Sequence, residues 1–511
     1  MHGQLKPNLF GVQLKRNVKA LRDGDRSRLP WIFCVFTENH ARSKLLAAKA
    51  LRDAIDSFSF KDITRIEEQV RQTSSMTWGI NWHALDIAGF FTFQMDDADR
   101  RAVCIFASFN PNGFIREKAV HMLQEFDGTL PYILLRLNDW VSQVRQTASA
   151  AFSFRLQRLS KGELLTALPF AEKLKGAGRG DHDVYIQRIS SVLTAPEHAQ
   201  DLRLGLDNAN VKTRRICTDA LFSASPPKVE LALERLYSEP EPFLRAGIFQ
   251  KLNNLGQRMD DAAGVFLNDK YPLNRILAFQ YIQDTGHDRV WDIAVKLLLD
   301  RSSMIREAAQ NALTRQNPTF DFRAFYRGNL TQYPAIAINE LGGNGIQSDT
   351  EEISEYLEDE RGRVVKSAMA ALMRLDSEKY SPVITEMLAD ARPGIVKTAR
   401  NLIVKHGRPD FERVWEILQN TPWEDTQSKC TDILFTATKW PRLIYMLEAL
   451  VRNDAHSKAK ALDGIKRWVF HFNRSFVIPS SEQSMKIRSL IMALPGVLSP
   501  GLERELLFLV S

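Results

Sequence analysis

One spacing constrains this chain more than any other feature. The stretch LLLDRSSMIREAAQNAL (Leu297–Leu313) places a small residue, Ala309, three positions after Arg306, nine after Asp300 and four before Leu313. The same arrangement returns along the chain. From Ile248 through Ala278, Ala309, Ala337, Ala368, Ala399 and Cys430 to Ala461 the steps are 30, 31, 28, 31, 31, 31 and 31 residues. Ala119, Ala148 and Thr218 are earlier anchors of the same kind. A fixed period of this length is the mark of an architecture made from one repeated supersecondary unit.

Each unit reads as helix, turn, helix. Apolar residues four after the anchors, such as Leu123, Phe152, Phe222, Leu252, Leu313 and Leu372, share a helical stripe with them, one turn along. Nine before the anchors stand residues suited to a turn or an N-cap: Asn110, Asp139, Glu239, Asp269, Asp300, Asp359 and Asp390. Upstream of the turns lie further amphipathic segments, for example Arg289–Asp300 and Ser381–Asp390. Alternating β-branched runs are nearly absent, so strands are not expected. A single hairpin cannot bury its apolar face, so neighbours must stack into one continuous core.

The units DWVSQVRQTASAAF (Asp139–Phe152), DRSSMIREAAQNAL (Asp300–Leu313) and DARPGIVKTARNLI (Asp390–Ile403) resemble short HEAT repeats of about thirty residues. The resemblance covers residues 80–495 and implies an all-α chain: a right-handed α-solenoid superhelix of roughly 13–14 helical hairpins. Residues 1–40 read as a basic N-terminal cap or arm and residues 41–511 as the solenoid, with irregular loops near 159–182 and 342–349. Architecture of this kind serves scaffolds, carriers and nucleic-acid binders alike, so function must be argued from sites.

The recurring cations are the first candidates. Arg116, Arg145, Arg215, Arg245, Arg275 and Arg306 each precede an anchor by three, and stacking would align them in a row. A row of arginines can grip a phosphate backbone. It can equally brace the stack, because a guanidinium fork holds carboxylates and carbonyls together. Acidic turn residues, Asp139, Asp269, Asp300 and Asp390 among them, recur almost as often as the arginines. The internal brace is therefore the favoured reading.

Charge supplies two more candidates. The chain carries a formal net charge of +7, and its first fifty residues hold ten basic side chains against three acidic ones, which accounts for the whole excess. Within them Lys15, Arg16, Lys19, Arg22, Arg26 and Arg28 form a basic arm suited to an acidic surface or nucleic acid. Near the other end Lys458, Lys460, Lys466, Arg467 and Arg474 are interleaved with Trp468, Phe470, Phe472 and Phe476. Aromatics beside cations can stack bases and neutralise phosphates. Ile465, Trp468 and Phe472 also lie at core spacing, which favours packing of the last repeats.

Signs of catalysis are thin. The chain has no phosphate-binding GxxxxGK[ST], HExxH or GxSxG motif. Asp181–Asp183 (DHD) lacks a second cluster to form a metal site and reads as a solvated loop. Cys34, Cys104, Cys217 and Cys430 are widely separated, as expected of a reducing cytoplasm. The longest early apolar run, Trp31–Phe36, is far short of the roughly twenty residues a membrane helix needs. No metal or cofactor is expected. The resemblance leaves a DNA glycosylase or lyase as a minor alternative, but no motif assigns that role to Trp82, Trp140, Trp291, Trp423 or Trp468. The leading expectation is a cytoplasmic, non-catalytic scaffold or adaptor that binds a protein partner. The main rival binds nucleic acid through the basic terminal regions.

Overall fold

The structure is a computed structural model that describes residues 7–72, 80–406, 409–452 and 455–510. Every regular element among the described residues is helical. The chain divides into two compact units, Met1–Tyr281 and Ile282–Ser511. Each is a stack of HEAT-like helical hairpins.

In the first unit the hairpin of helices Asp97–Ala107 and Gly113–Leu123 is followed by the hairpin of Leu130–Arg136 and Ser142–Leu156. The second helices, Gly113–Leu123 and Ser142–Leu156, pack directly on one another. Their anchors Ala119 and Ala148 are fully buried, and so are Leu123 and Phe152 one turn later. A small side chain at the anchor lets adjacent helices approach, while the apolar residue one turn on fills the space between them.

The second unit repeats the plan. Helices Pro334–Asn344, Gly362–Leu375, Pro393–His406 and Glu424–Leu434 pack in succession. The approach is close where Gly342 faces Ala371: a Cβ on the glycine would lie 2.9 Å from the Ala371 Cα. The last helices close over a core that includes Trp440, Leu447, Ile465, Trp468, Ile487 and Leu506.

The cap or arm expected over residues 1–40 contributes buried side chains. Leu29, Ile32, Phe33 and Phe36 are buried, and the Phe33 ring lies 5.0 Å from that of Phe106 and 5.9 Å from that of Phe90. Helix Pro7–Arg22 in turn packs on helix Ala41–Ile55. The irregular stretch expected at 159–182 contains the helix Glu163–Leu174, with an internal Pro169. Its buried Glu163 accepts from Arg155 at 2.5 Å and from the Leu130 amide at 3.0 Å, which ties the segment into the stack. The loop expected at 342–349 shrinks likewise, since helix Pro334–Asn344 runs into it and a 3-10 turn occupies Gln347–Asp349. There Arg323 Nη2 donates to the buried Asp349 carboxylate at 2.6 Å.

Candidate interaction surfaces

The arginines form a repeated device at the turns. Arg116 Nη1 donates to the Asn110 and Pro111 carbonyls, each at 2.9 Å, so it ties the start of its own helix to the preceding turn. Its other edge grips Asp139 of the next hairpin, Nε to Oδ2 at 2.9 Å and Nη2 to Oδ1 at 2.8 Å. Asp139 Oδ1 also accepts from the Val141 amide at 3.0 Å, which closes its own turn. One guanidinium thus fastens two turns, and one carboxylate receives it while shaping the second.

The pattern recurs with variations. Arg245 donates to the Glu239 carbonyl at 2.7 Å and to Asp269 at 2.8 Å. Arg306 donates to the Asp300 carbonyl at 2.8 Å, and its carboxylate partner is Glu340 at 2.8 Å. Arg145 and Arg275 bond the carbonyls of Asp139 at 2.8 Å and Asp269 at 2.7 Å. Asp300 accepts from the Ser302 amide at 2.7 Å. In the turn at Asp359 the following hairpin takes over: Arg392 reaches back to the Asp359 and Glu360 carbonyls at 3.2 and 3.3 Å while also pairing with Asp390.

Arg215 does not occupy a rung. Its side chain is 47% exposed and pairs with Glu172. The neighbouring Arg214 takes the place, donating to the Asn208 carbonyl at 2.8 Å and to the buried Glu239 at 3.0 Å. The true anchor of this helix is therefore Cys217, fully buried, and its apolar follower is Leu221 rather than Phe222. Adjacent arginines made the register ambiguous by one residue.

The spacing also missed cations supplied by first helices. Arg136 pairs with Asp139 at 3.1 Å and with Glu67, and Arg235 grips Glu239 at 2.6 Å. The sequence signal is an Arg three or four residues before the turn acid on the same segment. Burial raises the pKa of Asp139, but its bonds to Arg116 and the charges of Arg136 and Arg116 outweigh that and hold its carboxyl below the ordinary value. Glu239 is lowered in the same way, with Arg214, the Glu241 amide and Arg235 overcoming its burial. Paired like this, the buried acids stay charged.

The N-terminal basic residues separate into two groups. Lys15, Arg16, Lys19 and Arg22 are exposed on helix Pro7–Arg22, whose Leu14, Val18 and Leu21 are buried. Arg26 pairs with Asp62, and Arg28 with Asp25 at 2.9 Å, so these two help to hold the cap together.

At the other end, Trp468 is buried and its Nε1 donates to the Lys439 carbonyl at 2.8 Å. Lys460 pairs with Asp432 and Arg467 with Asp463, whereas Lys466 and Arg474 are exposed. Lys458 lies half-buried on the same helix. The key cation here is one that repeat spacing does not mark. Lys439 Nζ sits 3.6 Å from the Phe472 ring centroid and donates to the carbonyls of Phe472 and Ser475 at 3.0 and 2.5 Å. Desolvation lowers its pKa. Beside it opens a pocket of about 840 Å³ that Arg442, Arg467, His471, Arg474 and Val477 help to line.

Other candidates have structural places. Trp82 is buried against Phe33, and Trp140 lies under the Arg116 guanidinium at 4.5 Å. His182 of the expected solvated loop is buried, with its pKa lowered by desolvation, while Asp181 and Asp183 are exposed. Cys104, Cys217 and Cys430 are free and buried, and burial pushes their thiols up to about 12. Among the described residues, no group of three or more His, Cys, Asp or Glu side chains is arranged to hold a metal ion, and no helix is long and apolar enough to cross a membrane.

No family model matches the chain, and no curated protein matches it. Among solved structures it is similar to a mutant of Kap121p at 11% identity, with a TM-score of 0.35 over 99% of this chain and 68% of that one. It is also similar to importin beta at 10% identity and a TM-score of 0.31, over 92% and 76% of the two chains. UNC-45 from Drosophila melanogaster aligns at 12% identity and a TM-score of 0.17, over 96% and 72%.

Proposed function

We propose that the chain is a non-catalytic scaffold of the cytoplasm that holds a protein partner along the turns of its hairpins. The observation that carries this reading is how the turns distribute their side chains. Their recurring arginines are spent on carbonyls and carboxylates of the stack, as in Arg116, Arg214 and Arg245. Beside them the first unit leaves aromatic side chains in solvent, along with Lys270 and Arg215. Phe114 and Phe243, each the second residue of its helix, are 62% and 70% exposed, and Trp140 and Tyr271 are also exposed at turns. Exposed aromatic side chains recurring at equivalent positions suit protein contact, where aromatic anchors carry much of the binding energy. A phosphate-binding surface would instead need its cations free.

The test is affinity capture on the full chain from its native cell, with and without nuclease, alongside a Phe114→Ser/Phe243→Ser double variant. The expected partner is a protein that survives nuclease and is lost from the double variant at unchanged thermal stability. Capture abolished by nuclease would overturn the proposal. A second reading, nucleic acid held by the exposed cations of helix Pro7–Arg22, rests on Lys15, Arg16, Lys19 and Arg22.

A further inference from the structure

The segment that follows the last 3-10 turn, residues 475–480, has neither helix nor turn, and it exposes three large apolar residues in a row. Phe476 is 92% and Ile478 84% exposed, with Val477 between them also in solvent. Such a run is costly to leave uncovered, and single exposed apolar residues do not explain it.

The segment is held along one edge only. The Ser475 backbone is extended, at φ −144° and ψ 125°. Its carbonyl accepts from Lys439 Nζ at 2.5 Å, and the Val477 carbonyl accepts from Trp440 Nε1 at 2.8 Å. In an extended chain, successive residues turn their backbone polar groups to opposite sides. With the Ser475 and Val477 carbonyls both bonded inward, an extended chain between them turns the N–H and C=O of Phe476 outward. Among the described residues neither the Phe476 nor the Ile478 amide donates to a backbone carbonyl. The segment is thus a stretch pinned along one side and open along the other, the feature that a partner strand completes in β-augmentation.

Charge identifies the kind of strand. The pocket adjoining Ser475 and Val477 is lined by Arg442, Lys460, Arg467, His471 and Arg474; Lys460 is paired with Asp432 and Arg467 with Asp463, whereas Arg442 has no carboxylate partner among the described residues. Arg474 is exposed and has no carboxylate partner among the described residues. We propose that residues 475–478 pair edge to edge with an extended acidic peptide of another protein, its apolar side chains covering Phe476 and Ile478 and its carboxylates meeting the cations of the pocket. A nucleic-acid strand fits less well. Trp440 and Trp468 are buried, with their rings 5.3 Å apart and both indole N–H groups engaged, so they offer no open face for a base.

This inference rests on the protein-binding reading above, but uses a surface of the second unit that Phe114 and Phe243 do not share. The test is fluorescence anisotropy of the full chain with a dye-labelled peptide that alternates aspartate and valine. A lysine–valine peptide and a single-stranded oligothymidylate serve as comparators. Three variants separate the contributions: Phe476→Pro removes the outward N–H, Phe476→Ser keeps it, and Arg474→Glu reverses the charge. Both positions are exposed, and thermal melts establish that each variant is folded. Saturable binding of the aspartate peptide is expected, about tenfold weaker in Arg474→Glu and at least fivefold weaker in the proline than in the serine variant. No saturable binding by the wild type would overturn the proposal. So would equal binding by the proline and serine variants, equal binding of the lysine peptide, tighter binding of the oligonucleotide, or self-association of the chain abolished by Phe476→Pro. Loss of the peptide result with capture through Phe114 and Phe243 intact would remove this site alone.

Discussion

Arg116 is 0% exposed, and its guanidinium answers the Asn110 and Pro111 carbonyls as well as Asp139. Removing it leaves a buried carboxylate short of one of its two arginines and two carbonyls short of a donor. Breaking a buried pair from one side costs about 3–5 kcal/mol. Arg116→Ala is therefore expected to lower stability by about that amount, and Arg116→Lys should recover little, since a point charge cannot span two turns. Arg215→Ala, one residue from a rung but half-exposed beside Glu172, is expected to change stability by no more than about 0.5 kcal/mol. Urea unfolding followed by tryptophan fluorescence reads both. Equal effects for Arg116→Ala and Arg215→Ala would refute the division between brace and surface. That division was only partly visible in the sequence. Spacing marks six recurring arginines, but it cannot tell Arg214 from Arg215, because the choice depends on which side chain faces the next hairpin.

At the scale of the element, the turn acid couples one hairpin to the next, and its protonation should uncouple them. Glu239 is held by Arg214 and Arg235, and its carboxyl lies below its ordinary value of 4.5. A carboxylate lowered by folding stabilises the fold above the unfolded value and ceases to do so as pH falls through the folded one. Glu239→Gln keeps the shape and removes the charge, so at pH 7 it should cost roughly 3 kcal/mol. As pH falls below 4.5 toward the folded value, the gap between wild type and variant should close, because the wild type then becomes neutral as well. Urea midpoints of the two proteins at a series of pH values measure it, and a gap independent of pH would show that the charge does not matter. The hairpins themselves were readable from periodicity, since burial of Ala119, Ala309 and Ala368 follows from their helical spacing. The segments at 159–182 and 342–349 were not. Their order comes from partners that lie outside each segment, Arg155 for Glu163 and Arg323 for Asp349, superimposed on local composition that looks like loop.

For the whole molecule the question is what the excess charge does once the internal pairs are set aside. The net charge of +7 equals the excess in the first fifty residues, and the structure divides that basic region. Arg26 and Arg28 are committed to Asp62 and Asp25, while Lys15, Arg16, Lys19 and Arg22 stand in solvent on one helix. Cations on an exposed helix attract any polyanion without choosing among them, and that attraction weakens as salt rises, because releasing counterions into concentrated salt gains less entropy. Reversing Lys15, Arg16 and Lys19 to glutamate removes two charges at each position and takes the chain from +7 to +1. The buried face made by Leu14, Val18 and Leu21 is untouched, so the fold should persist. Retention on heparin should then drop and lose most of its salt dependence, while nuclease-resistant capture of a protein partner should remain within about twofold of wild type, because rim charges alter attraction more than seating. If partner capture disappears with heparin binding, the basic helix is the working surface and the exposed turn aromatics are not.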